Sequence, residues 1–251
     1  MSLNGIMSSA LSALQTNTTA LDVVSSNISN MNTPGYAQRV VNEEAQAVGG
    51  QLGGVEIADI ERVTNQFFTQ QTLGAQSSSS LYTAQNNILS QINALLGQVG
   101  SGNDLPSQLD NVFTALGSAT LSPTTATSQQ AVLSALTKFA SSISTMSSSI
   151  TKVQNQADQQ VVTDVGSANG YIQQIYQLNQ EIEASQASGS QQASGLLDQR
   201  DQVVQSLSQL MGVSTTTTST GAMLVSTTDG VNLVGNSTYA HRIFLLSREV
   251  R

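Results

Sequence analysis

The sequence has no cysteine, no tryptophan and a single histidine, His241. Without cysteine, disulfides, thiolate catalysis and cysteine-based zinc sites are excluded together. One histidine excludes a multi-histidine metal site, and its place close to the C-terminus argues against a Ser-His-Asp arrangement centred on a packed domain. Charge is scarce: Asp, Glu, Lys and Arg make up 10% of the chain, against roughly 25% in an average globular protein. Ser, Thr, Gln and Asn fill the gap. Eight basic residues face 16 acidic ones, a net charge of −8, which argues against nucleic acid and against anionic membrane surfaces. The first basic residue is Arg39, and Arg242, Arg248 and Arg251 crowd the end. Five Phe and five Tyr leave a core that must be mainly aliphatic. No run approaches ~18 consecutive apolar residues, so no membrane insertion is expected. The N-terminus has no Lys or Arg ahead of an apolar core and does not read as a cleaved Sec-type signal peptide. At 251 residues the chain holds one large domain or two modest ones.

What is present is helical periodicity. Leu3, Ala10, Asn17, Val24 and Met31 alternate with Met7, Leu14, Leu21 and Ile28 in a 3-4 spacing. This is four heptads of an a/d seam with Asn17 as its one strongly polar member. The other face is Ser, Thr, Asn and Gln. Two readings stand: an amphipathic helix of a private core, or a seam that waits for a partner helix. An isolated helix of this kind is marginal because nucleation is costly, so residues 1–32 are expected to be largely disordered until they assemble. Pro34 disfavours helix at Thr33 and stops the segment near Met31 or Asn32. Thr33-Pro34-Gly35-Tyr36 then fits a type II turn.

Residues 36–48 read as an extended segment, followed by a glycine pair and a short strand-like run to about Ile60. The glycines at 49–54 do not make a phosphate loop, because no Lys-Ser/Thr follows them. Helix is expected from about Asn65 to Val99, with an interruption at Ser77–Ser80; Leu81, Ile88, Ile92, Leu95 and Val99 share a face. Asp104 is the expected N-cap of a short helix with Pro106 in its first turn and Leu109, Val112, Phe113 and Leu116 along it. The longest periodic stretch runs from about Ser128 to Ala187. Val132, Leu136, Phe139, Ile143, Met146, Ile150, Val153 and Ala157 keep heptad spacing, the register slips near Val161, and Ala168, Ile172, Ile175 and Ile182 resume it. Gly166 and Gly170 are candidate breaks. A further helix places Leu196, Val203, Leu207 and Leu210 on one face. After Gly212 the composition turns to Thr and Val, and Asp229-Gly230 reads as a hairpin turn between two short strands.

Nothing in the pattern carries catalysis, and no catalytic, cofactor-binding or metal residues are assigned. Carboxylates such as Glu43, Glu44, Asp198 and Asp201 occur in close pairs that suit caps and solvated faces. The Asp198–Arg200–Asp201 group is expected to complement charge near a helix start or to bridge packed helices. The fold class is mainly α: an elongated helical bundle with long coiled-coil-like helices, an N-terminal assembly helix and a small β-hairpin segment near the C-terminus.

Three ordered motifs carry a resemblance. "SSNISNMNTPGYAQR" behind the seam helix is similar to the start of bacterial flagellar axial proteins. "GVEIADIERVTNQFFTQQ" with "AQSSSSLYTAQNNILSQINALLG", and "LLDQRDQVVQSLSQLMGVS", resemble the hook-associated protein 1 (FlgK) family. The resemblance implies a structural subunit at the hook–filament junction, exported uncleaved by the flagellar type III route to the extracellular flagellum. Implied partners are further copies in a ring, the hook protein, the next hook-associated protein and an export chaperone. Leu3, Met7, Leu14, Leu21, Val24 and Ile28 would then be an assembly interface, and Asn32, Thr33, Pro34, Gly35 and Tyr36 the joint between an inner-tube helix and an outer bundle. The expected division is 1–32 assembly helix, 33–64 joint and extended segment, 65–212 helical bundle, 213–240 β-rich segment and 241–251 atypical tail. The family is longer than this chain and ends in a second seam helix, so a C-terminally truncated or frameshifted ending is expected. A flagellin, hook or rod subunit, and a secreted coiled-coil adhesin or effector, are the competing readings.

Overall fold

The computed structural model describes residues 3–48, 51–97, 102, 104–187, 193–236 and 238–240. Five helices and five strands follow in chain order: α1 Leu3–Ser29, β1 Arg39–Val48, β2 Gln51–Arg62, α2 Gln66–Leu96, α3 Leu105–Leu121, α4 Ala126–Ala187, α5 Ala193–Leu210, β3 Val213–Thr217, β4 Met223–Thr227 and β5 Asn232–Val234. The mainly α class is as expected. Two compact units share these elements. One takes the chain through Ser79 together with the described residues from Ser167 onward; the other is Ser80–Gly166. The tail at 241–251 and the end of the α2 face at Val99 lie outside the described residues.

α1 ends where proline dictates. The chain leaves the helix through a turn closed by the Thr33 N–H on the Asn30 carbonyl (2.9 Å) and a second closed by the Tyr36 N–H on the Thr33 carbonyl (3.2 Å). Gly35 sits at φ 79°, the left-handed position that the third residue of a type II turn requires. The segment that follows is more regular than its sequence suggests. β1 and β2 form one long antiparallel hairpin from Arg39↔Arg62 to Val48↔Gln51, with bulges beside Asn42 and Gln46. Extra residues in β2 absorb those bulges, which is why the alternation of β2 breaks in sequence.

α2 starts on the Asn65 side chain, which accepts from the Phe67 N–H at 3.0 Å. It then runs through Ser77–Ser80 without the expected interruption. The Ser78 hydroxyl bonds back to the Gly74 carbonyl at 2.9 Å, so its hydroxyl is satisfied within a continuous helix. Asp104 caps α3, accepting from the Ser107 N–H at 2.8 Å, with Pro106 in the first turn. α4 is one helix of 62 residues, unbroken at Gly166 and Gly170. Neither glycine answers a packing demand, since a Cβ at either would meet nothing within 4 Å.

The apolar core lies in the first unit. Leu73, Ala168, Ile172, Ile175, Leu178, Val203, Val204, Leu207, Val213, Met223, Val225, Leu233 and Val234 form it. The register slip of α4 falls at exposed Val161 and Val162, just ahead of the boundary between units, and the resumed seam is what becomes buried. The C-terminal β segment has three strands where two were expected, in the antiparallel order β3-β4-β5. Its β4–β5 turn is the expected one, with Gly230 at φ 87° and its N–H on the Thr227 carbonyl at 2.9 Å.

Candidate assembly interface

α1 is packed the reverse way from an ordinary surface helix. Its polar face is inside: the Thr16 hydroxyl bonds the Val55 carbonyl at 3.3 Å, and the Val55 N–H donates to the Ser12 hydroxyl at 3.2 Å. Thr16 is 5% exposed. Leu3, Met7, Leu14, Leu21, Val24 and Ile28 point away from the hairpin and are 51–77% exposed. Leu11 and Met31 extend the same exposed apolar surface. The expected disorder of this segment is therefore corrected: the hairpin orders it as a helix through polar contacts. Covering each such aliphatic side chain is worth about 1.5–3 kcal/mol, and none of the six is covered here.

The joint is tied at both ends. Asn27, in the last turns of α1, accepts from the Tyr36 hydroxyl and the Arg39 N–H, both at 2.9 Å, and its amide donates to the Arg39 carbonyl at 2.8 Å. On the other side Gln202 of α5 donates to the Pro34 carbonyl at 2.7 Å. Gly35 faces the same helix so closely that a Cβ would run into the Gln202 side chain. Of the joint residues, Gly35 and Tyr36 are half-buried, while Asn32, Thr33 and Pro34 stay exposed.

Beneath the joint lies a charged node. The Asp198 carboxylate accepts from Arg39 Nη2 at 2.7 Å, from Arg62 Nη2 at 2.7 Å and Nε at 3.0 Å, and from the Ala37 N–H at 3.3 Å. Arg62 Nη2 also reaches Asp201 at 2.7 Å. Both expectations for these carboxylates need correcting: neither lies in the first turn of α5, and they join that helix to a hairpin, not to another helix, because both arginines sit at the open end of β1–β2. Arg200 is directed elsewhere. It is 2% exposed and donates to Asn179 Oδ1 at 3.1 Å and the Gly221 carbonyl at 2.7 Å. Asn179 in turn bonds both backbone groups of Met223, so this arm locks α4, α5 and β4 together. Burial lowers the Arg200 pKa to about 10, with Asp201 raising it and Arg62 lowering it further.

Sequence reasoning missed Asn27, Asn179, Gln202 and the role of Arg39 and Arg62. The two arginines left one signal: they are the only basic residues before Lys138. Among the described residues no group of three or more His, Cys, Asp or Glu side chains is placed to hold a metal. No helix among them is long and apolar enough to cross a membrane.

Residues 89–246 match the family described as the flagellar hook-associated protein FlgK helical domain. That is well over half of the chain. The chain belongs to the FlgK family. A second family, the flagella basal body rod protein, matches residues 7–36, the span of α1 and the joint. Among curated relatives, the flagellar hook-associated protein 1 of Escherichia coli K12 is 28% identical over 242 residues, covering 94% of this chain and 44% of that protein. The hook-associated protein 1 of Bacillus subtilis 168 is 25% identical over 236 residues, 89% of this chain and 46% of that protein. This FlgK-family chain thus spans less than half the length of the relatives it matches. The solved structure of the flagellar hook junction protein FlgK from Burkholderia pseudomallei superposes with a TM-score of 0.61 at 28% identity, over 68% of this chain and 29% of that one.

Proposed function

We propose that this chain is a structural, non-enzymatic subunit of the bacterial flagellum that polymerises at the hook–filament junction through helix packing on the α1 seam. The observation that carries the reading is the reversal of α1. A helix held by its polar face with an uncovered heptad seam is built to receive another helix. The names of the relatives and the basal body rod protein match over residues 7–36 support the setting. On this reading Leu3, Met7, Leu14, Leu21, Val24 and Ile28 are the assembly interface, and Asn32–Tyr36 is the joint that directs it. Further copies in a ring, the hook protein and the next hook-associated protein are the partners. An export chaperone and uncleaved type III export complete the proposal.

The test is sedimentation of the purified chain with isolated hooks. The parent chain is expected in the hook pellet, and Leu21→Asp in the supernatant with unchanged circular dichroism. Equal pelleting of the two would overturn the assignment of the seam.

A further inference from the structure

Arg39 and Arg62 are direct cross-strand partners at the open end of the β1–β2 hairpin. Like charges placed directly opposite each other destabilise a strand pair. What reconciles them is a carboxylate from outside the hairpin: Asp198 takes Arg39 on one oxygen and Arg62 on the other, each at 2.7 Å. The side chains of Asp198 and Arg62 are 11% and 10% exposed, so water does not substitute for the pairing.

The parts on either side of this fork are held by different forces. α1, the joint and the hairpin are bonded to one another through Ser12, Thr16, Asn27 and Tyr36. The apolar core, by contrast, has no member from residues 3–62. Hydrogen bonds and ion pairs tie residues 3–62 to Asp198, Asp201 and Gln202 of α5. Apolar burial is non-directional, whereas a carboxylate gripped by a two-arginine fork specifies direction as well as attachment.

We propose that Asp198 is the positioning residue that sets the direction of α1, clasping residues 3–62 to α5 as one body through the Arg39–Arg62 fork. The proposal rests on the reading of α1 as the assembly helix only for its purpose; the clasp itself is a property of the free chain. Removing the carboxylate takes away the ion-pair partner of Arg39 and leaves Arg62 to Asp201 alone, so residues 3–62 swing on the link at 63–65 while the core stays closed.

The cysteine-free sequence allows a direct test. Spin labels on Thr18→Cys in α1 and Gln209→Cys in α5, both exposed positions, report the distance between the two bodies by double electron–electron resonance. The parent pair is expected to give one narrow distribution. Asp198→Asn is expected to broaden or split it, Asp198→Glu to restore a single peak, and the thermal melt of the core to stay cooperative in both. Arg39→Gln, which removes one arm at a partly exposed residue, is the milder variant and must broaden the distribution too. A narrow distribution in Asp198→Asn, or a broad one in the parent, overturns the clasp. So does a collapsed core melt in Asp198→Asn with an unbroadened Arg39→Gln. These readouts use the monomer; failure of hook sedimentation alone would count against the assembly reading and leave the clasp standing.

Discussion

Arg200 keeps a full charge inside the fold with no carboxylate within ion-pair distance among the described residues. Its partners are neutral oxygens, those of Asn179 and Gly221, and desolvation lowers its pKa to about 10. A base whose folded pKa lies below its unfolded value costs stability wherever it is charged in both states. That cost is constant below pH 10 and is relieved above it, where the unfolded chain holds the extra proton. Arg200 therefore contributes no slope to stability between pH 5 and 9, and urea midpoints across that range should show none attributable to it when parent and Arg200→Met are compared. The substitution itself leaves the Gly221 carbonyl without its donor and is expected to cost about 1–3 kcal/mol in urea unfolding. Gly35→Ala acts differently. It forces a Cβ into φ 79° and against Gln202, a strain of roughly 1–3 kcal/mol. The loss should appear as faster amide exchange at Tyr36 and Ala37, with the core unaffected.

At the scale of elements, sequence was informative wherever the decisive interaction is local. The stop at Pro34, the Asp104 cap and the Asp229-Gly230 turn each depend on residues within four positions, and each is where the pattern put it. The hairpin was harder to read because bulges beside Asn42 and Gln46 destroy the period-2 signal that marks a strand. The Asp198 node was harder still: its partners lie 136 to 161 positions away, and spacing cannot report a contact of that range. The continuity of α4 through Gly166 and Gly170 was left open by the sequence for a different reason. Helix propensity charges each glycine only about 0.5–1 kcal/mol against alanine, too little to break a helix whose following turns bury Ala168, Ile172 and Ile175. The same figure gives a prediction. With open space at both Cβ positions, Gly166→Ala and Gly170→Ala should each stabilise the chain by roughly 0.5–1 kcal/mol, read as a raised urea midpoint at unchanged slope.

For the molecule as a whole, the proposed assembly seam and the core are separate sets of apolar residues. The core of α2, α4, α5 and β3–β5 contains no residue of the α1 seam, and the seam side chains of α1 stay 51–77% exposed in the free chain. A change at Leu14 or Val24 therefore has little to lose on folding. Surface substitutions away from caps, cores and networks stay within about 0.5 kcal/mol of the parent, and Leu14→Ser with Val24→Ser should fall in that range by urea unfolding. In assembly the same two side chains forfeit the burial that a partner helix would provide, about 1.5–3 kcal/mol each for full coverage. Every 1.4 kcal/mol is a factor of ten in affinity. Binding of the double variant to isolated hooks should therefore weaken by roughly two orders of magnitude or more while its unfolding curve overlays that of the parent. A variant that loses both together would place the seam inside the fold's own energetics and return α1 to the role of an ordinary core helix.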